Sequence, residues 1–301
     1  MGRTALAASR AIEILNFLSA RPSHAFTLSE IADRLELSVA SAHGILMVMT
    51  EAGFLARDPV HKTFELGPAL VAIGHATLER HRSIDLARDE VRRLADEMGL
   101  ESMASAPIGS DLIVLARAGR AGRLEQLPRV GQRIPLAPPI GGIFLAWKSK
   151  AEVTAWFDRF DVDAKMRPGL EALLDDLRVT GYEIAVETAA RKKIERALRE
   201  LANAPHAKGG HELVTSLTAE LLEERHHPGA VEPEKTYNVN YCMAPIFGKR
   251  GEPILALSVL GFAKNTTGKE LVTCAEELRV RADDITVATE GTIPLRSIAT
   301  P

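Results

Sequence analysis

Residues 27–67, TLSEIADRLELSVASAHGILMVMTEAGFLARDPVHKTFELG, restrict the fold more than any other stretch of the chain. Thr27 and Glu30 have the spacing of a capping box, in which hydroxyl and carboxylate each satisfy a backbone amide at a helix start. Leu28, Ile31, Ala32 and Leu35 then recur at helical spacing, and Leu37-Ser38 makes a turn. Ser38 caps a second helix whose Ala42, Ile45, Leu46 and Met49 fall at i, i+3, i+4 and i+7. Gly53 stops it, and two short strands, Phe54-Leu55 and Thr63–Leu66, flank a turn at Asp58-Pro59. Helix, turn, helix and hairpin make the pattern of a winged helix-turn-helix, whose second helix enters a DNA major groove. A helical hairpin packed as protein core satisfies the same local pattern, and both readings stand at this point.

Charge does not decide between them. The 301 residues carry a net charge of −3, and residues 1–82 hold eight cations and eight anions. Many nucleic-acid modules are basic, so any DNA contact here has to rest on a few placed groups. With 46% hydrophobic residues the chain can bury two cores. No apolar run is long enough to cross a bilayer, so no membrane partner is expected. The opening MGRTALAASRAIEILNFL continues into an amphipathic helix and has no signal-peptide cleavage pattern. Cys242 and Cys274 form no paired motif, which fits a reducing cytoplasm and argues against zinc or a disulfide framework.

Along the chain, Met1–Ala8 reads as a mobile arm and a helix opens at Ser9, with Ile12, Leu15 and Leu18 on one face. Pro68 starts a linker helix over 68–82, and Ser83 caps a helix carrying Ala87, Val91, Leu94 and Met98 that Gly99 stops. Strands follow at 101–106 and 112–116, then a basic Gly-rich loop, RAGRAGR (117–123), read as solvated, and a strand at 124–128. Ala137-Pro-Pro-Ile-Gly-Gly142 is a rigid turn opening a helix; it is either a receptor for a polar ligand group or a plain strand-to-helix turn. Ser149 and Glu152 make a second capping box, with helices at 150–160 and 168–180. Two charged amphipathic helices, 188–203 and 211–226, precede a hairpin at 237–247 and 253–262, and a helix at 269–288 closes the domain. His206, His211, His226 and His227 match no metal-ligand spacing and are expected to be exposed or helix-capping. Residues 83–301 therefore read as helices on an antiparallel sheet, giving an α+β fold overall.

The chain resembles the IclR family of bacterial transcriptional regulators. ASRAIEILNFLS, TLSEIADRLELS, EAGFLARDPVHKTFELGPAL, VGQRIPL with GGIFLA, and YCMAPIFGKRGEPILALSVLG occur in the family's order. The resemblance implies a winged helix-turn-helix domain over 1–67, a linker helix over 68–82, and a GAF-like effector-binding domain over 83–301. The segment 187–235 does not match the usual pattern and reads as a helical insertion. It also implies a cytoplasmic homodimer or homotetramer that binds operator DNA and is switched by a small organic effector, more a repressor than an activator, with no cofactor and no metal. The DNA-contacting positions it implies are Arg10, Thr27, Ser38, Val39, Ala40, Ser41, His43, Gly44, Arg57 and Lys62. Ligand positions are Met103, Leu136, Pro139, Ile140, Gly141, Cys242 and Ser258.

Departures from the family pattern set finer expectations. Its recognition helix typically begins Pro-Lys-Ser-Thr and has Arg after its His; here Ser38-Val39-Ala40-Ser41 and His43-Gly44 stand in those places. Apolar side chains can meet thymine methyls but cannot make the bidentate guanine contact, so a shallow salt slope and reliance on paired half-sites are expected. In the ligand region Leu260 and Ile184-Ala185-Val186 replace polar residues, which predicts an effector larger or more hydrophobic than a two- or three-carbon acid. The alternatives from other classes are an enzyme on the α+β domain, with Ser105, Ser216 or Ser258 as nucleophile, or a sensory protein with a degenerate helix-turn-helix. The chain has no G-x-S-x-G elbow, P-loop or HExxH with which to name a reaction.

Overall fold

A computed structural model describes residues 5–120, 128–203, 213, 216–217, 220–221, 224 and 227–296. Residues 1–4 of the arm expected over 1–8, residues 124–127 of the strand expected over 124–128, residues 121–123 of RAGRAGR and most of the helix expected over 211–226 lie outside the described residues.

At the front, α1 (Leu6–Ser19), α2 (Leu28–Arg34) and α3 (Val39–Glu51) pack with a small sheet of β1 (Phe26–Thr27), β3 (Thr63–Leu66) and β2 (Leu55–Arg57), in the order β1-β3-β2. Both caps are formed: Glu30 N donates to Thr27 Oγ1 at 3.3 Å, Thr27 N donates to Glu30 Oε2 at 2.8 Å, and Ser41 N donates to Ser38 Oγ at 3.2 Å. Ile14, Phe17, Leu18, Ile31, Leu46 and Phe64 form the core of this unit. α1 corrects two expectations. It begins at Leu6, with Ala5 in the cap position, and Ser9 lies inside it. Ile12 points to solvent at 56% exposure, because the buried stripe runs through Ile14, Phe17 and Leu18. β1 was not expected from sequence; two residues are too few to show alternation, yet they complete the wing sheet through Phe26 against Phe64.

α4 (Ala69–Arg80) and α5 (Arg82–Met98) follow. α5 starts one residue before Ser83, with His81 at its cap and no side-chain cap bond, and Gly99 ends it in the left-handed region at φ 64°. The remaining residues build a six-stranded antiparallel sheet in the order β6-β5-β4-β10-β9-β7. Its strands are β4 (Glu101–Ile108), β5 (Asp111–Ala118), β6 (Arg133–Pro135), β7 (Glu183–Val186), β9 (Val239–Phe247) and β10 (Pro253–Leu260). β8 (Thr236–Tyr237) and β11 (Thr266–Thr267) pair separately.

Helices cover both faces. α5 and α10 (Gly268–Ala288) lie on one, over Ala104, Cys242, Ala244, Leu255, Leu257 and Val259. Arg281 ties these two helices together, donating to Glu90 Oε1 at 2.9 Å across from α10 to α5. The other face carries α6 (Gly142–Leu145), α7 (Lys150–Arg159), α8 (Arg167–Thr180) and α9 (Ala189–Asn203), packed around Met103, Leu112, Val114 and Met243. Among the described residues no helix is long and apolar enough to cross a membrane.

Candidate effector cavity and nucleic-acid interface

The helix-covered face that holds Met103 and Met243 does not close completely. Between it and α9 lies a cavity of about 560 Å³, within the size range of small-molecule sites. Met103, Leu112, Ile134, Ile140, Ile194 and Met243 supply apolar lining, and Ser105, Ser258, Tyr241 and Arg191 supply polar groups. The Ala137–Gly142 turn contributes Ile140 and Gly141. Gly141 has φ 88°, and a Cβ there would come within 2.7 Å of Leu136 Cδ1, so the turn requires glycine.

Of the ligand positions implied by the resemblance, Met103, Ile140, Gly141 and Ser258 border this cavity. Leu136 and Pro139 are buried outside its lining; Leu136 packs beneath Gly141, and its carbonyl accepts the Trp156 indole N–H at 2.5 Å. Cys242 is corrected outright. It sits on the opposite face of the sheet, with its side chain among the α5–α10 core. Burial raises its thiol pKa well above the ordinary value, and contact with Cys274 adds to the effect.

A polar cluster under the cavity was not visible in the sequence. Tyr241 donates its hydroxyl to Glu183 Oε1 at 2.6 Å, and the Arg191 guanidinium lies 4.8 Å above the Tyr241 ring. Burial, then the Glu183 charge, raises the Tyr241 pKa, so the phenol keeps its proton. His227, expected to be exposed or capping, is instead mostly enclosed: its Nδ1–H donates to Ile184 O at 2.9 Å, and its Nε2 lies 3.7 Å from Glu183 Oε1. Burial is the largest cause lowering its pKa to about 4. Its sequence setting, a histidine pair at the end of a charged helix, gave no sign of this. Arg191 does carry a signal in the sequence. It stands three residues before Ile194, on the apolar stripe of its helix, although the adjoining Lys192 and Lys193 make the run look solvated.

The second surface is the outward face of α3. Val39, Ala40, His43, Gly44, Met47 and Val48 are all exposed, Val48 at 67%. A helix core would not leave such residues to water, so the helix-turn-helix here is no buried hairpin. Arg10 Nη1 donates to Ser41 Oγ at 2.8 Å, which fixes the arginine beside the start of α3. On the wing, Asp58 accepts from Val60 N and His61 N, and Lys62 takes a left-handed φ of 55° at the tip. Arg57 is exposed, with its guanidinium 5.6 Å from the Phe64 ring. Thr27 and Ser38 spend their hydroxyl acceptors on the caps described above.

The two surfaces are physically connected. Arg129 Nη1 donates to Ala20 O, at the end of α1, at 3.1 Å. Gly131, with φ 81°, passes so close that a Cβ would lie 2.7 Å from Ser19 Oγ. Pro128 and Ile134, on either side of this loop, border the cavity.

Residues 7–59 match the model of the IclR helix-turn-helix domain. The chain is 28% identical over 141 residues to the HTH-type transcriptional regulator BhcR of Paracoccus denitrificans, covering 46% of this chain and half of that protein. It is 26% identical over 199 residues to the glycerol operon regulatory protein of Streptomyces coelicolor, covering 62% of this chain and 75% of the relative. Among solved structures, an IclR transcriptional regulator from Alicyclobacillus acidocaldarius superposes with a TM-score of 0.65 at 18% identity, over 95% of this chain and all of that one. An IclR homolog from Microbacterium hydrocarbonoxydans, solved in complex with 4-hydroxybenzoate, gives 0.62 at 17% identity over 94% of this chain and 98% of that one. These two superpositions establish the α+β fold, and residues 7–59 form a helix-turn-helix domain of the IclR type.

Proposed function

We propose that the chain is a ligand-responsive regulator that binds operator DNA through α3 and the wing and is switched by a small, mainly apolar organic molecule in the cavity. The observation that carries this is the pairing of an exposed, capped recognition helix with a largely apolar cavity, joined through the Arg129 loop. The relatives named above are regulators, which supports this reading over the enzyme alternative. The Microbacterium structure was solved with an aromatic acid, which supports a ring-sized ligand for this cavity as well.

DNA contact in this reading divides by chemistry. Val39, Ala40, His43 and Gly44 meet base edges, while Arg10, Arg57, Lys62 and Ser41 hold phosphates and Thr27 and Ser38 present helix-end amides. Few cations are involved, so affinity depends weakly on salt and comes from two half-sites bound by a homo-oligomer. α4 supplies a surface for that assembly: it buries none of its residues, and Val71 and Ile73 are exposed at 74% and 49%. A second copy of the chain would cover these exposed apolar side chains.

The test is a fluorescence-anisotropy titration against DNA upstream of the chain's own gene, with and without aromatic acids, across a salt series. Binding that weakens on adding one of these acids supports a repressor released by its effector. A log–log salt slope near about −10, as for a strongly cation-driven repressor, would rule out the proposed mode of contact.

A further inference from the structure

We infer that α9 closes the cavity with Arg191 as an anchor for one carboxylate, so that the ligand is a monocarboxylic acid with an apolar body. This rests on the reading of the cavity as an effector site. Arg191 is only 6% exposed, and its Nε has no hydrogen-bond partner. Taking a guanidinium out of water is costly unless acceptors replace the water. Its face is against the Tyr241 ring and it also hydrogen-bonds the Tyr241 side chain, but the Nε–H still points along the guanidinium plane with no acceptor, the geometry suited to a carboxylate.

Two further groups under α9 are in the same condition. The hydroxyls of Ser105 and Ser258 are 2% and 1% exposed, and neither has a hydrogen-bond partner. Register places them together: Ser258 pairs with Met103, and Ser105 lies two residues further along β4, on the same side. All three groups can donate a hydrogen bond, and all three border one cavity. Their common complement is an acceptor, and the one best matched to a buried cation is an anion.

The acidic side chains fix how many charges the ligand carries. Glu187 and Glu195 both accept from Asn240 Nδ2, at 2.8 and 2.7 Å, and Glu187 also lies 3.8 Å from Lys192 Nζ. Glu183 takes the Tyr241 hydroxyl, and Glu101 also borders the cavity. Three carboxylates of the lining, Glu101, Glu187 and Glu195, stand against two cations, Arg191 and Lys264, so the lining disfavours a second negative charge on the ligand. The apolar lining of Met103, Leu112, Ile134, Ile140, Ile194 and Met243 receives its body.

The experiment titrates the full chain calorimetrically with 3-phenylpropionate, its neutral amide 3-phenylpropionamide, and the dianion phenylsuccinate. The wild type should bind the monoacid at least about tenfold more tightly than either of the others, the scale of a desolvated charge-assisted pair. Arg191→Met should bring the acid down to the affinity of the amide while leaving amide binding intact, which shows that the cavity is still folded. If Arg191→Met does not fold, Arg191→Lys carries the test, because a point charge cannot reproduce the planar edge and the acid-to-amide ratio must fall. An unchanged ratio in the variant, or equal affinity for acid and amide in the wild type, overturns the anchor while leaving a ligand-binding cavity. Failure of all three probes to bind overturns it as well, and the DNA titration then decides separately whether the regulatory reading survives.

Discussion

The two faces of the six-stranded sheet are built from alternate residues of the same strands, yet they serve opposite ends. Toward α5 and α10 the strands present Ala104, Cys242, Ala244, Ile246, Leu257 and Val259, all essentially inaccessible, and the one buried hydroxyl among them, that of Ser102, is satisfied by Val91 O of α5. Toward α9 the same strands present Glu101, Ser105, Tyr241, Met243 and Ser258 around a cavity. A face that only has to hold helices can be filled to native density; a face that has to admit a ligand keeps empty volume and unmet polar groups. With the proposed function, the contrast assigns stability to one side of the sheet and recognition to the other.

The largest effect that could break this division belongs to the closed face. Leu257→Ala should cost about 2–5 kcal/mol through lost burial and a residual cavity, read as a lowered midpoint in urea unfolding. A loss below about 1 kcal/mol would mean that this face is not the tightly packed one. Next comes Tyr241→Phe on the cavity face. It keeps the ring under Arg191 but withdraws the hydroxyl that Glu183 accepts at 2.6 Å, and should cost about 1–3 kcal/mol. Replacing Arg129 by Ala is expected to disturb stability less than either. Its signature is functional: ligand and DNA should each still bind, while the ligand loses most of its effect on DNA affinity, because the contact to Ala20 O is gone. Unaltered ligand-induced release would place the coupling elsewhere.

How much of this was legible in the sequence depends on the range of the interactions involved. The helix-turn-helix could be read because its determinants are local. Thr27 with Glu30, Ser38 with Ser41, and the i, i+3, i+4 spacing of Ala42, Ile45 and Leu46 all act within about one to two turns. The cavity was legible only in part, and Cys242 shows why. Counting back evenly from the hairpin turn, where Pro253 pairs with Phe247, sets Cys242 opposite Ser258 and on its face. A register shift between Pro253 and Leu255 makes Ser258 pair with Met243 and Val259 with Cys242. One residue of slip turns a side chain to the other side of a sheet, and nothing in GKRGEPILALS announces it. Arg191 and His227 escaped for a related reason: their burial is imposed by strands β7 and β9, far away along the chain.

A smaller effect tests the polar side by pH. His227 ordinarily titrates near 6.5, and its burial, the nearby Arg191 cation adding to it, moves this to about 4. Tyr241 and Glu183 are the other titratable groups of the cluster; the phenol stays protonated, and Glu183 Oε1 lies 3.7 Å from the imidazole. Between pH 6.5 and 4 the unfolded chain therefore binds a proton at His227 that the folded chain does not. Stability contributed by the neutral imidazole is complete above 6.5 and is lost as pH falls toward 4. His227→Gln should flatten the fall of Tm across this window relative to the wild type. Parallel curves for the two proteins would mean that the imidazole is not held neutral.

The smallest stability effect is also the sharpest comparison between the faces. Ser258 and Leu257 are neighbours on β10, equally buried, with side chains on opposite sides of the sheet. Truncating Leu257 removes apolar contacts that exist. Ser258→Ala removes a hydroxyl that makes no hydrogen bond, and so relieves a desolvation cost without breaking a bond. Its Tm should be unchanged or slightly raised, while affinity for a carboxylate probe should fall. A residue whose loss strengthens the fold and weakens binding is retained for the ligand. A clear drop in Tm would instead show that the Ser258 hydroxyl serves the fold, and the functional contrast between the two faces would no longer hold at the strand that defines it.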